Sequence, residues 1–299
     1  MDCAVVLDNS GSLHVKEFRN LHKGEKVVTG RNEDGSEGIY VHTIGFKQDA
    51  VEQEAFTFRT GRSRETSFSM DYDRLYELLR YEKDHGYIVW VLGPAVVFDY
   101  DSRKALSNLI EKGYVHAILA GNAMATHDLE AAVLGTALGQ DIYTQESQTN
   151  GHYNHLDLLN MARKAGSLEK FIATGQVKEG VVYTAIKHNI PLVLAGSIRD
   201  DGPLPSVYSD VYQAQDAMRV HTRKATTLIC LATQLHSIAA GNMTPTYTVH
   251  NGQVRPLYIY AIDVAEFTLN KLRDRGSLET TTIVTNVQDF LVNVNKNLP

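Results

Sequence analysis

Gly121-Asn122-Ala123-Met124-Ala125-Thr126-His127-Asp128 combines residue types that receive an anion with residue types that move a proton. The segment follows an apolar run and opens a helical pattern, so its first-turn N–H groups lack intrahelical partners and suit a pyrophosphate. Tight strand-to-helix packing, with Asp128 as a cap, explains the same residues, and the sequence leaves both readings open. Asp263 ends another apolar run, where an acid accepts hydrogen bonds from ribose hydroxyls and disfavours a 2′-phosphate, which favours NAD over NADP; capping a following helix through Phe267 and Leu272 is the compatible alternative. His236 follows Thr233-Gln234-Leu235 at a third run's end, where it serves either a ligand or a loop. His152 and His155 have the spacing of a metal pair, but no third and fourth ligand accompanies them. They read as polar residues at a helix start, or as substrate contacts. Asp200, Asp201, Asp210 and Asp216 gather negative charge that would attract a cationic substrate such as a diamino acid, unless Arg199 and Arg219 neutralise it locally. Cys230 lies inside an apolar run and is no candidate nucleophile, and the pattern GxGxxG is absent.

The elements that must position these residues are six short apolar runs, at 88–92, 115–119, 191–195, 227–231, 257–262 and 281–284, each ending in small or polar residues. Helical faces alternate with them: Leu75, Leu78 and Leu79 before the first, Ala105, Leu106, Leu109 and Ile110 after it with Ser102 as N-cap, and Val207, Val211, Ala214 and Met218 later. Such alternation predicts an α/β fold with a mostly parallel, Rossmann-like sheet, and ligands bind at the strand ends of such sheets. Residues 1–65 read instead as a small β-rich domain, with strands at 4–7, 13–18, 25–29, 39–44 and 55–58 and a turn at Asp8-Asn9-Ser10-Gly11. Residues 66–299 form the nucleotide-binding domain, with a helical insertion at about 140–180 over the ligand edge of the sheet.

Composition narrows the partners. Lys and Arg number 29 against 35 Asp and Glu, a net charge of −6, and no basic stripe suits a phosphate backbone, so nucleic acid is not expected. The two cysteines make neither a disulfide framework nor a metal-ligand spacing, no apolar run reaches the ~20 residues of a membrane span, and a cytoplasmic protein without metal is expected.

Leu92-Gly93-Pro94-Ala95-Val96-Val97, the stretch from Ala120 through Glu130, Gly196-Ser197-Ile198-Arg199-Asp200-Asp201-Gly202-Pro203-Leu204-Pro205, Gln215-Asp216-Ala217-Met218-Arg219 and Leu235-His236-Ser237-Ile238-Ala239-Ala240-Gly241-Asn242 together resemble the alternative NAD-dependent ornithine cyclodeaminases. That family carries a LOR/SDH domain and also forms the C-terminal part of arginine dihydrolase fusion enzymes. The resemblance implies a deoxyhypusine-synthase-like NAD-binding fold. It carries nucleotide contacts to Asn122 and Ala123, Asp201, Thr233, Gln234, Leu235 and His236, Asp263, and Asn286 and Val287. Asn286 stands where the family has an acid, and an amide still accepts a hydrogen bond. Family members also carry a preceding domain of roughly a hundred residues, a common domain size, so a separate chain supplying that piece is a possible partner.

The implied reaction converts L-ornithine to L-proline and ammonia, with NAD recycled within each turnover. His127 and Asp128 are then the candidates for proton transfer and Asp216 for holding a substrate amine, and a homo-oligomer is expected. Two rivals stand beside it: a non-catalytic NAD-binding or regulatory subunit of a split enzyme, and an NAD-dependent dehydrogenase of another amino acid or a polyamine.

Overall fold

The computed structural model describes residues 3–17, 20–29, 32, 35–37, 68–198, 202–250, 252–265, 269–271 and 279–299. The chain divides into two compact units, Met1–Gly61 and Arg62–Pro299.

In the first unit, β1 (Cys3–Leu7), β2 (Leu13–Glu17) and β3 (Lys26–Val27) form an antiparallel sheet in the order β2-β1-β3. The expected turn chemistry is present. Asp8 Oδ1 accepts from the Ser10 and Ser12 amides, each at 2.8 Å, and Gly11 takes φ +84°, a conformation open to glycine. Bonds from the Ser10 hydroxyl, His14 and the Ser12 amide hold the Asp8 carboxyl well below the usual range. The strands expected at 39–44 and 55–58 lie outside the described residues.

The second unit is an α/β sandwich built on six parallel strands: β4 (Ile88–Leu92), β5 (Ala117–Gly121), β8 (Leu192–Ala195), β9 (Thr227–Leu231), β12 (Tyr258–Asp263) and β13 (Glu279–Val284). Their spatial order is β13-β12-β9-β4-β5-β8. The first strand is therefore central. The chain builds outward through β5 and β8, then returns to the other side of β4 with β9, so the strand order reverses between β4 and β9. That reversal is the topological switch point, where open α/β sheets bind ligands beyond the carboxyl ends of their strands.

Residue alternation explains why the strands read as unbroken apolar runs: both faces are covered. Ile88, Trp90 and Leu92 face a core shared with helices α1 (Ser69–His85), α2 (Tyr100–Glu111) and the C-terminal α9 (Val287–Asn297). Val89 and Val91 face the other core, under α7 (Val211–Thr222) and α8 (Gln234–Met243). α3 (Asn122–Leu134) is buried on most of its surface, including Asn122, Thr126, His127, Asp128 and Glu130, so each of those polar side chains needs a partner.

Residues 136–187 hold a two-strand hairpin, β6 (Thr136–Ala137) and β7 (Gln140–Asp141), then α4 (Asn154–Ala165), α5 (Leu168–Ala173) and α6 (Val181–Lys187). A second hairpin, β10 (Tyr247–His250) with β11 (Gln253–Pro256), precedes β12 and was not expected. Its signal was the Asn251-Gly252 pair between alternating residues.

Three local expectations change. The second strand of the sheet starts at Ala117 rather than 115, because Val115 packs in the core while the ladder with β8 runs on to Gly121. Helix α2 is capped by Asp99, whose carboxylate accepts from the Asp101 and Ser102 amides, so Ser102 is already inside the helix. Val211 is exposed at the start of α7, whose buried face is Ala214, Met218 and Thr222.

Candidate functional site

A cavity of about 620 Å³ opens at the switch point. Its floor is the end of β4 with Pro94 and Phe98, its sides are the starts of α3 (Gly121 to Met124) and α8 (Thr233, Leu235, His236), and Ser197 and Gly202 border it beyond β8. Thr126, His127, Leu138, His152, His155 and Leu159 close the remaining side.

Close backbone approach dictates the glycines here. A Cβ on Gly93 would lie 2.0 Å from the Ala232 carbonyl oxygen, and one on Gly121 would lie 2.8 Å from His236 Cε1. Between β9 and α8 the chain turns through Ala232 at φ +47°, a region an L-residue rarely adopts. Strain of this kind concentrates where a site needs a sharp strand-to-helix turn.

Neither helix that starts at the cavity has a side-chain cap: Gly121 precedes α3, and Thr233 precedes α8 without bonding its amides. Helices α2, α7 and α9 are capped by Asp99, Asp210 and Asn286, while α1 and α4 also start without a side-chain cap. Two uncapped N-termini with positive dipole ends thus converge on one cavity, the arrangement that binds a pyrophosphate. The Asn122 side chain holds the loop beyond β8, accepting from the Leu204 amide at 2.9 Å, so its contribution to a ligand is its backbone N–H.

His127 borders the cavity, and its Nδ1 lies 2.8 Å from Glu130 Oε2. Glu130 Oε1 accepts from Thr136 Oγ1 at 2.7 Å and from the Gly139 amide at 3.1 Å. Phe98 meets the His127 ring edge-on at 5.8 Å between centroids, and the His155 ring lies 6.3 Å away.

Asp128 points elsewhere. Its Oδ1 takes Arg103 Nε at 2.9 Å, its Oδ2 accepts the Val182 amide at 2.7 Å, and the two side chains are 0% and 2% exposed. Burial alone would lower the Arg103 pKa, and the Asp128 carboxylate outweighs it, so the guanidinium is held charged. Asp128 therefore caps α6 and does not line the cavity, in contrast to the proton-transfer role expected for it.

Of the expected contacts, Asn122, Ala123, Thr233, Leu235, His236 and His127 line one cavity, and Gln234 sits between two of its residues. Asp263, Asn286 and Val287 lie at the ends of β12 and β13, on the same edge of the sheet but outside the cavity lining. Asp263 Oδ1 accepts from the Ala265 amide at 2.9 Å, Asn286 caps α9, and the Val287 side chain is buried in the core. Asp216 is exposed on α7 and does not line the cavity, and Asp201 lies outside the described residues. His152 and His155 contribute more than a polar helix start, since both border the cavity. Among the described residues no group of His, Cys, Asp and Glu could hold a metal. Burial pushes the Cys230 thiol up to about 12, so it is no nucleophile.

The family described as arginine dihydrolase ArgZ-like, C-terminal, Rossmann fold, matches residues 75–294. A Methanopyrus kandleri protein named ornithine cyclodeaminase is 37% identical over 308 residues, covering 100% of this chain and 69% of that protein. A conserved LOR/SDH protein of Methanococcus maripaludis superposes with a TM-score of 0.88 at 35% identity, covering 100% of this chain and 86% of that one. AgrE, the name of a bifunctional arginine dihydrolase/ornithine cyclodeaminase in Nostoc sp., has been solved as a ternary complex with ornithine and NAD+; that chain superposes with a TM-score of 0.70 at 31% identity, over 99% of this chain and 39% of its own length. The cavity at the switch point, the uncapped helix starts around it and these matches agree, and the chain belongs to the ArgZ-like C-terminal Rossmann-fold family.

Proposed function

We propose that the protein is an NAD-dependent ornithine cyclodeaminase that converts L-ornithine to L-proline and ammonia. The observation that carries this reading is the cavity at the switch point, where two uncapped helix N-termini meet beside a histidine held by a buried carboxylate. The relatives named ornithine cyclodeaminase, and the AgrE complex with ornithine and NAD+, supply the substrate and cofactor.

The residues fit a dinucleotide. Glycines at 93 and 121 let the Ala232 carbonyl and the His236 ring pack close to the strand ends, which brings the starts of α3 and α8 together, and their amides, from Asn122, Ala123, Thr233, Gln234, Leu235 and His236, would bind the pyrophosphate and its surroundings. Asp263 serves the adenosine ribose, with Asn286 and the Val287 backbone beside it, and Asp201 is a further nucleotide contact by resemblance. Bound NAD would supply a hydride acceptor that returns the hydride within the same turnover, leaving the reaction redox-neutral. His127 takes the proton that a substrate ammonium must lose and gives one back to the departing ammonia. Phe98, Leu138 and Leu159 exclude water, and His152 and His155 contact the substrate. Asp128 orders α3 against α6 and takes no part in proton transfer; the exposed position of Asp216 weighs against a substrate contact.

The reading includes a cytoplasmic setting and self-association. No described helix is long and apolar enough to cross a membrane, and Val211 and Val220 on α7 are exposed apolar residues suited to packing against a second copy.

The test is proline and ammonia production from L-ornithine with NAD far below substrate concentration. Many prolines per NAD without NADH accumulation support the reading. Accumulating NADH points to a dehydrogenase, and bound NAD with no product points to a non-catalytic subunit acting with a second chain.

A further inference from the structure

We infer that Glu130, and not His127's sequence neighbour Asp128, makes His127 a proton carrier, as part of a hydrogen-bond chain that begins on α4, the helix bearing His155. Asn154 Nδ2 donates to Thr136 Oγ1 at 2.8 Å, Thr136 Oγ1 donates to Glu130 Oε1 at 2.7 Å, and Glu130 Oε2 meets His127 Nδ1 at 2.8 Å. The direction is fixed by chemistry. The single Thr136 proton goes to Glu130, so its oxygen accepts from Asn154.

Glu130 also accepts the Gly139 amide at 3.1 Å and is 0% exposed, so two donors, Thr136 and Gly139, converge on its buried Oε1 while Oε2 faces His127. With Glu130 as a carboxylate, which only accepts, the proton of the third link sits on His127 Nδ1. Nε2 is then the ring nitrogen with a lone pair for the cavity. When a substrate ammonium gives up its proton, its N–H bond breaks and a new one forms at Nε2. The imidazolium charge appears beside Glu130, and the proton later leaves with ammonia. Asp128 is unavailable for this work because both its oxygens are engaged by Arg103 and Val182.

The chain also sets geometry. A Cβ on Gly151 would lie 2.3 Å from the Gly139 carbonyl oxygen, so the β6–β7 hairpin and the approach to α4 are in direct backbone contact. Asn154 adds a polar tie, and the start of α4, with His152 and His155, is thereby held in register with the dyad. Glu130 and Thr136 are positioning residues: they act on the reaction through His127.

The inference rests on the proton-carrying role of His127, and two readouts separate them. In Glu130→Gln the amide oxygen must still accept from Thr136 and Gly139, which turns the NH2 toward Nδ1 and moves the ring proton to Nε2. Nitrogen-15 NMR of the imidazole should show the Nδ1–H form in the native protein and the Nε2–H form in the variant. Proline formation should fall at least about 100-fold in kcat, the scale of a lost acid–base group, with the ornithine KM and NAD Kd within about twofold. Thr136→Val, which keeps size and loses one donor, should cost about tenfold in kcat, the loss of one hydrogen bond to a carboxylate. An Nε2–H tautomer in the native protein, or native kcat in Glu130→Gln, overturns the inference. The tautomer is read without turnover, so it judges Glu130 even if the native chain makes no proline or the variant does not fold.

Discussion

Neighbours on a helix point about 100° apart, and α3 uses that angle to give His127 and Asp128 different tasks. His127 borders the cavity while Asp128 faces α2 and α6. Loss of the Asp128 charge leaves the buried Arg103 with only the half-exposed Glu179 carboxylate at 3.4 Å, so Asp128→Asn should lower stability by about 3 kcal/mol in denaturant titration while NAD affinity in the folded fraction stays native. Asp263→Ala should weaken NAD binding by about tenfold, the loss of one charged hydrogen bond, in calorimetric titration; unchanged affinity would return Asp263 to its local bond with the Ala265 amide. Cys230 should resist thiol reagents in the native protein at neutral pH and react once the chain is unfolded, because its thiol is buried and protonated. His127 was legible from the sequence as a polar residue opening a helix. Glu130 stood three positions on, the spacing that places two residues on one helical face, and that spacing was the missed signal. The partners of Asp128, at 103 and 182, are too distant in sequence for any local pattern to announce.

At the level of elements, the starts of α3 and α8 depend on the small residues that let them approach each other. Gly121→Ala puts a methyl 2.8 Å from His236 Cε1, so the ring must move. Because that ring belongs to the cavity wall, NAD binding should weaken by about tenfold while the melting temperature shifts little, a difference that parallel binding and melting measurements would reveal. The six strands were readable because both their faces are covered, which writes them as continuous apolar runs. Their ends were less so: the ladder is set by pairing with β4 from Ala117 and with β8 from Ile118 to Gly121, and apolarity at Val115 serves the core instead. The sequence reads 140–180 as an insertion over the ligand edge, whereas the positions of His152 and His155 beside the cavity depend on where Gly139 meets Gly151, a contact between separate segments.

For the second unit as a whole, acid is the predictable weakness. Burial lowers the pKa of His116 from 6.5, and burial followed by the Lys224 charge lowers that of His221. A folded state that holds these rings neutral binds fewer protons than the unfolded chain, so stability rises with pH; the contribution is complete above about 6.5 and is lost as pH falls toward the lowered folded values. His116 Nδ1 accepts the Ile88 amide at 2.8 Å, a bond that protonation at that nitrogen would break. In His116→Asn, the amide oxygen can accept that bond without titrating, so the denaturant midpoint should fall less between pH 7 and 5 than in the native protein. The central place of β4 reaches further than the site it builds. Its neighbour β9 lies 227 − 92 = 135 residues further along the chain. At about 5–20 residues per second of synthesis, roughly ten seconds pass before that neighbour exists. Throughout that interval the nascent sheet presents an open edge of apolar sequence to other chains. Translation speed between residues 93 and 226 thus sets how long each new molecule is exposed to aggregation, and slow codons there should reduce soluble yield without changing a single residue.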